Sequence, residues 1–164
     1  MDNINVCVFL ASSVDKKDST INNIINELVY NEEGNSMDVV TVINGKNVAN
    51  EKLELDYFIR VVSSGDENSN YKKKYSYLFS TETSKGESGE NEEGSEKKQM
   101  KASYSDWFFA LASENIQISF PCKGDYELEV FEITNKEEDS ATERYKEYRD
   151  NNVEPKALYC FKVK

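Results

Sequence analysis

The chain of 164 residues contains no histidine. That absence removes Ser-His-Asp and Cys-His activation of a nucleophile, and with them every histidine-based metal site. No GxGxxG, GxxxxGKS/T or CxxC spacing occurs, so the common phosphate, dinucleotide and redox signatures are missing. Proline is nearly absent, at two residues, and there is one tryptophan. No run approaches 18 apolar residues, so no transmembrane helix is expected. The first basic residue is Lys16, after Asp2, which leaves the apolar start without the basic region of a signal peptide. Three cysteines, Cys7, Cys122 and Cys160, cannot all pair within one chain. Reduced thiols in a cytoplasm are the simpler reading.

Positive charge is also in short supply. The balance of 20 Lys and Arg against 31 Asp and Glu leaves a net charge of −11. Phosphate and anionic lipid repel such a surface, so direct nucleic-acid binding and membrane binding are disfavoured. Hydrophobic residues reach only 38% and charged residues 31%, which suggests a folded part carrying solvated insertions. An aromatic content of 12% argues against global disorder and suits strands.

What is present is period-two alternation, centred on residues 116–133. Ile116, Ile118 and Phe120 alternate with polar residues, Pro121 closes the run, and Gly124 marks a turn. Tyr126, Leu128 and Val130 then alternate with glutamates, the pattern of a sheet with one buried and one wet face. Residues 4–10 read as a central strand, because Cys7 and Phe9 make its second face apolar. Residues 37–43, 53–62, 71–80 and 158–163 read as further strands. The pair 53–62 and 71–80 forms a hairpin, with Tyr75, Tyr77 and Phe79 on one face. Residues 104–113 fit a strand or a helical turn. Residues 20–30 fit either state: the isoleucines have helical spacing, yet Asn22, Asn23 and Asn26 are poor helix formers.

Two segments break the pattern. Residues 81–99 hold six glutamates and three glycines without an apolar residue, and are expected to form a flexible acidic insertion. Residues 134–155 are a charged connection in which Ser140 and Glu143 have capping-box spacing. Tyr145 and Tyr148 would share one face of a short surface helix there. The expected fold is therefore mainly β: a single antiparallel β-sandwich over residues 1–164 with one or two short helices.

The turn followed by Gly124, Tyr126, Leu128 and Val130, and then Tyr159, Phe161 and Val163, resembles the end of an immunoglobulin-like or C2-like β-sandwich. The N-terminal strand followed by residues 22–25, NNII, is similar to an uncharacterised bacterial family of small sandwich proteins. The Asn, Lys and Glu-rich composition also suggests a bacterial source. The resemblance implies a strand within residues 20–30. It implies no activity, because sandwiches host many functions. The cysteine–tryptophan–cysteine order of antibody domains does not carry over: Trp107 stands too far from Cys7.

Candidate chemistry is sparse. Cys122 beside Lys123 is the one cysteine with a neighbouring cation, and packing is the commoner role for such a residue. Asp66 with Glu67, and the run Glu137, Glu138 and Asp139, are acidic clusters without EF-hand spacing. No metal and no cofactor is expected. Lys72, Lys73 and Lys74 between Tyr71 and Tyr75 form a compact basic run, which fits a protected sheet edge or a binding surface. Trp107, Phe108 and Phe109 fit the core better than an exposed patch. The expected function is a non-enzymatic interaction module that binds a protein partner through Tyr71, Lys72, Lys73, Lys74 and Tyr75 with the turn at Lys123 and Asp125. The alternatives are an acidic mimic of nucleic acid that inhibits a DNA- or RNA-binding protein, and an enzyme built on carboxylates.

Overall fold

The structure is a computed structural model that describes residues 3–15, 17–18, 20–46, 52–65, 75–84, 107–134, 137 and 140–164. It is mainly β, with nine strands and one helix among these residues. The strands are β1 (Asn3–Asp15), β2 (Thr20–Ile25), β3 (Glu27–Leu28), β4 (Asn35–Lys46), β5 (Lys52–Ser64), β6 (Tyr75–Ser84), β7 (Trp107–Ile118), β8 (Gly124–Glu132) and β9 (Ala157–Val163). Helix α1 (Ala141–Asp150) lies between β8 and β9. One sheet has the order β2-β1-β4-β7 and the other β3-β9-β8-β5-β6. All pairings are antiparallel except the short β3–β9 contact, which is parallel.

Alternation builds the core. Val6, Val8 and Leu10 of β1 and Met37, Val39 and Ile43 of β4 face Tyr57, Ile59, Leu128, Val130 and Phe161 of the second sheet. Residues 20–30 resolve in favour of strand, interrupted where the chain passes from one sheet to the other between β2 and β3. Residues 116–133 also cross between the sheets, since β7 and β8 belong to different ones. The crossing is fastened by Tyr126, whose hydroxyl donates to the Cys122 carbonyl at 2.5 Å. Gly124 stands at φ +152 where β8 begins, a backbone conformation open to glycine.

Residues 81–84, assigned from composition to the insertion, continue β6. Their alternation with Thr and Glu suffices because Thr83 and Thr81 pair with Leu53 and Leu55 of β5. Residues 85–99 lie outside the described residues, as do the side chains of Trp107, Phe108 and Phe109. Tyr75, Tyr77 and Phe79 do not share a face. Tyr57 pairs with Phe79 but Phe58 pairs with Tyr77, so Leu78 is an extra residue and the face switches there. Phe79 stacks on Tyr57 within the sandwich, whereas Tyr75 and Tyr77 contact Phe58 on the outer face.

Helix α1 begins as its capping spacing indicates, with the Ser140 side chain accepting from the Glu143 amide. It is packed more deeply than a surface helix. Arg144, Tyr145 and Tyr148 are buried against the outer face of the five-stranded sheet.

Candidate interaction surface at the β6 edge

β6 is the terminal strand of the five-stranded sheet, and among the described residues it pairs with β5 alone. Among the described strands none pairs with its outward side, the position at which a sheet can accept a further strand. Tyr77 is 44% exposed beside this edge, with its hydroxyl 2.9 Å from the Ser80 hydroxyl. Ser80 donates in turn to Asp56 at 2.5 Å. Farther along, Lys52 and Glu82 form an exposed ion pair at 2.7 Å.

Of the residues expected to bind, Tyr71, Lys72, Lys73 and Lys74 lie outside the described residues. Tyr75 lies on one side of the last residues of β5, and Lys123 and Asp125 on the other. Tyr75 pairs with Arg60, Asp125 with Ser63, and the Gly65 amide donates to the Lys123 carbonyl at 2.9 Å. Their settings differ. Lys123 is exposed in the bend before β8. Asp125 is engaged within the fold: the Ser63 hydroxyl donates to it at 2.5 Å and Lys162 lies 3.4 Å away. The Ser63 hydrogen bond, helped by Lys162, holds its carboxyl below the usual carboxylate range. Tyr75 is half-buried, its ring stacked on Tyr145 with centroids 3.9 Å apart.

Sequence reasoning missed the residues that gather between β6 and α1. Arg144 donates to both oxygens of Asp56, and the Tyr148 hydroxyl donates to the same carboxylate at 3.1 Å. Glu129 accepts from Tyr145 at 2.8 Å and from Arg149, while Arg60 bridges Glu127 and Glu129. Asp56 and Glu129 are 0% and 2% exposed, so these charges are satisfied by guanidinium groups, not by water. Burial pushes the Tyr145 and Tyr148 phenols well above their ordinary range. The Asp56 hydrogen bonds lift the Arg144 guanidinium higher still. The one sequence signal was the alternation of Asp56, Phe58 and Arg60 on the polar side of β5, which placed a charged pair around an aromatic without naming its partner.

Beside this cluster an open depression of about 350 Å³ is lined by Val62, Glu127, Cys160 and Lys162, among others. Burial first, and then the Glu127 carboxylate, push the Cys160 thiol up, so it stays protonated at neutral pH. Among the described residues no group of three potential metal ligands assembles, Glu137 included; Asp66, Glu67, Glu138 and Asp139 lie outside them. Among the same residues no helix is long and apolar enough to cross a membrane. Comparison of the chain with protein-family models, with curated proteins and with solved structures finds no match.

Proposed function

We propose that this protein is a non-enzymatic interaction module that takes an extended segment of a protein partner along the β6 edge. The observation that carries this reading is the place of β6, a ten-residue strand that stands last in its sheet and among the described strands pairs with β5 alone. Main-chain pairing supplies the affinity in this mode of recognition, and side chains flanking the edge supply the selection. Tyr77, and the Lys123 bend at the end where β6 begins, are placed to supply it, with Lys72, Lys73 and Lys74 preceding the strand in the chain.

The immunoglobulin-like reading of the sandwich has support in the same elements. Strands β9, β8 and β5 lie side by side, and the Tyr126 hydroxyl returns to the backbone four residues upstream, as a tyrosine corner does. A cytoplasmic location fits the three free cysteines.

The test is capture from native lysate at low salt and again at about 0.5 M, where the Debye length falls to roughly 4 Å. Wild type is compared with the Ser76→Lys and Tyr77→Lys double variant, which places two charges on the edge. A protein partner retained at both salts and lost by a variant of unchanged melting temperature supports edge pairing. Equal capture by the variant overturns it. A nucleic-acid-binding protein captured only at low salt would favour mimicry. No partner at either salt would overturn the interaction reading itself.

A further inference from the structure

Among the described residues the structure holds two separate apolar clusters. The main one fills the sandwich. The second consists of Phe58 and Phe131 of the sheet with Tyr145 and Tyr148 of α1, joined at its margin by Tyr75. Phe58 and Phe131 point out of the sandwich, and among the described residues no side chain of α1 joins the main cluster. The connections on either side of the helix are closed independently of it. The Ile133 amide donates to Glu54 at 2.9 Å and the Lys156 amide to Val130 at 2.7 Å. Helix α1 thus stands between two anchored points, and the β8–β9 pairing includes none of its residues.

The helix itself is poorly suited to stand alone. It has ten residues, below the length at which an isolated helix is stable in water. Among the described contacts it is held by Arg144, Tyr145, Tyr148 and Arg149, and the two arginine–carboxylate pairs return little net stability after their desolvation. The free energy of lifting α1 is therefore a fraction of the free energy of opening the sandwich.

We propose that α1 is a lid that opens as a unit over an intact sandwich, and that the face beneath it is a docking site for a partner helix carrying arginine and tyrosine at the spacing Arg-Tyr-x-x-Tyr-Arg. Charge complementarity fixes the occupant. With the lid open, Asp56 and Glu129 stand as two carboxylates flanking an aromatic floor of Phe58 and Phe131. A partner that covers the floor without bringing guanidinium groups leaves Asp56 buried with the Ser80 hydroxyl and no described cation, and Glu129 with Arg60 alone, which is the costlier arrangement. Arg144 and Arg149, five residues apart, show the spacing that satisfies both. This inference does not rest on the β6 edge, although Tyr75 and Ser80 of β6 touch Tyr145 and Asp56 and so place the two surfaces side by side.

Two measurements on the full chain test the lid. In native-state amide exchange, α1 amides are expected to exchange at least about 100-fold faster than those in the centre of β5 and β8. Exchange of α1 at the rate of the sandwich overturns independent opening. The probe for docking is a synthetic peptide of residues 140–151, titrated by NMR into wild type and into the Arg144→Ala, Arg149→Ala variant. The variant is expected to bind it at least about tenfold more tightly, because a competing lid lowers apparent affinity by the fraction open. A peptide with both arginines replaced by glutamine is expected not to bind. Failure of the native peptide to bind the variant, with the sandwich shown intact by unchanged β5 and β8 exchange, overturns the docking site.

Discussion

Arg144 clamps Asp56 with two parallel hydrogen bonds, Nε to Oδ2 at 2.6 Å and Nη2 to Oδ1 at 2.8 Å, across 88 residues of chain. Both side chains are withdrawn from water. Removing one partner strands the other, so Arg144→Ala is expected to weaken the docking of α1 by about 3–5 kcal/mol. Replacing both, as Asp56→Leu with Arg144→Met, is expected to cost less, about 1–3 kcal/mol: the apolar pair avoids the desolvation of two charges, and what remains is the loss of the acceptor for the Tyr148 and Ser80 hydroxyls. Amide exchange within α1 reads both variants; equal losses for the single and the double change would show that the pair is not coupled.

Tyr126, Tyr145 and Tyr148 are buried, and burial raises all three phenols above the ordinary value of about 10. The sign follows from proton binding. The unfolded chain loses these protons first, so their contribution to stability is complete below about pH 10 and is lost as the pH rises through the folded values. Absorbance at 295 nm is expected to show these phenols ionising together with loss of the fold. Their titration in a chain that keeps its near-ultraviolet circular dichroism would contradict the burial.

At Gly124 a Cβ would stand 2.1 Å from the Ser63 carbonyl oxygen, and the backbone φ of +152 is one that side chains resist. The obstacle is backbone, so no rotamer relieves it. Gly124→Ala is expected to cost about 2–4 kcal/mol by urea denaturation, through a forced shift of the β5–β8 register.

Asn23 adopts φ 48 in the middle of β2, and the β1–β2 register skips the Ser12–Asn23 position. The kink interrupts an edge strand that carries Ile21 and Ile24 at 42% and 60% exposure, which hinders edge-to-edge pairing. Asn23→Gly is expected to change stability by less than about 0.5 kcal/mol. Asn23→Val is expected to cost about 1–2 kcal/mol and to increase self-association in light scattering. A monodisperse Val variant would rule out the kink as edge protection.

The strands that read clearly in the sequence, β1, β5, β8 and β9, are those whose partners lie on both sides. The helix start was legible because a cap is local: Ser140 and Glu143 are three residues apart. What stayed illegible was non-local or broke the period. One extra residue at Leu78 moved Phe79 to the opposite face from Tyr75 and Tyr77. Asn23, in a left-handed conformation, blurred β2 enough to leave helix and strand equally plausible. Nothing within either segment links Asp56 to Arg144 or Glu129 to Arg149, because an ion pair assembled by tertiary packing leaves no spacing to read. The same holds for the candidate site: Tyr75, Lys123 and Asp125 were chosen from local composition, while the arginines and carboxylates between α1 and the sheet emerge only in three dimensions.

The passage from β2 to β3 fastens the start of the chain to its far strand. The Tyr159 hydroxyl donates to the Ile25 carbonyl across 134 residues, and the Lys162 and Lys164 amides donate to Asn26 and Leu28. Ordering of that clasp has to wait until β9 has emerged from the ribosome and found its place. The kinetic consequence is slow folding for a chain of this size, in the millisecond-to-second range typical of sandwiches with distant pairings. In the interval the unfastened β3 and β9 segments are open to other chains, which makes the newly made protein most vulnerable just before these two strands meet.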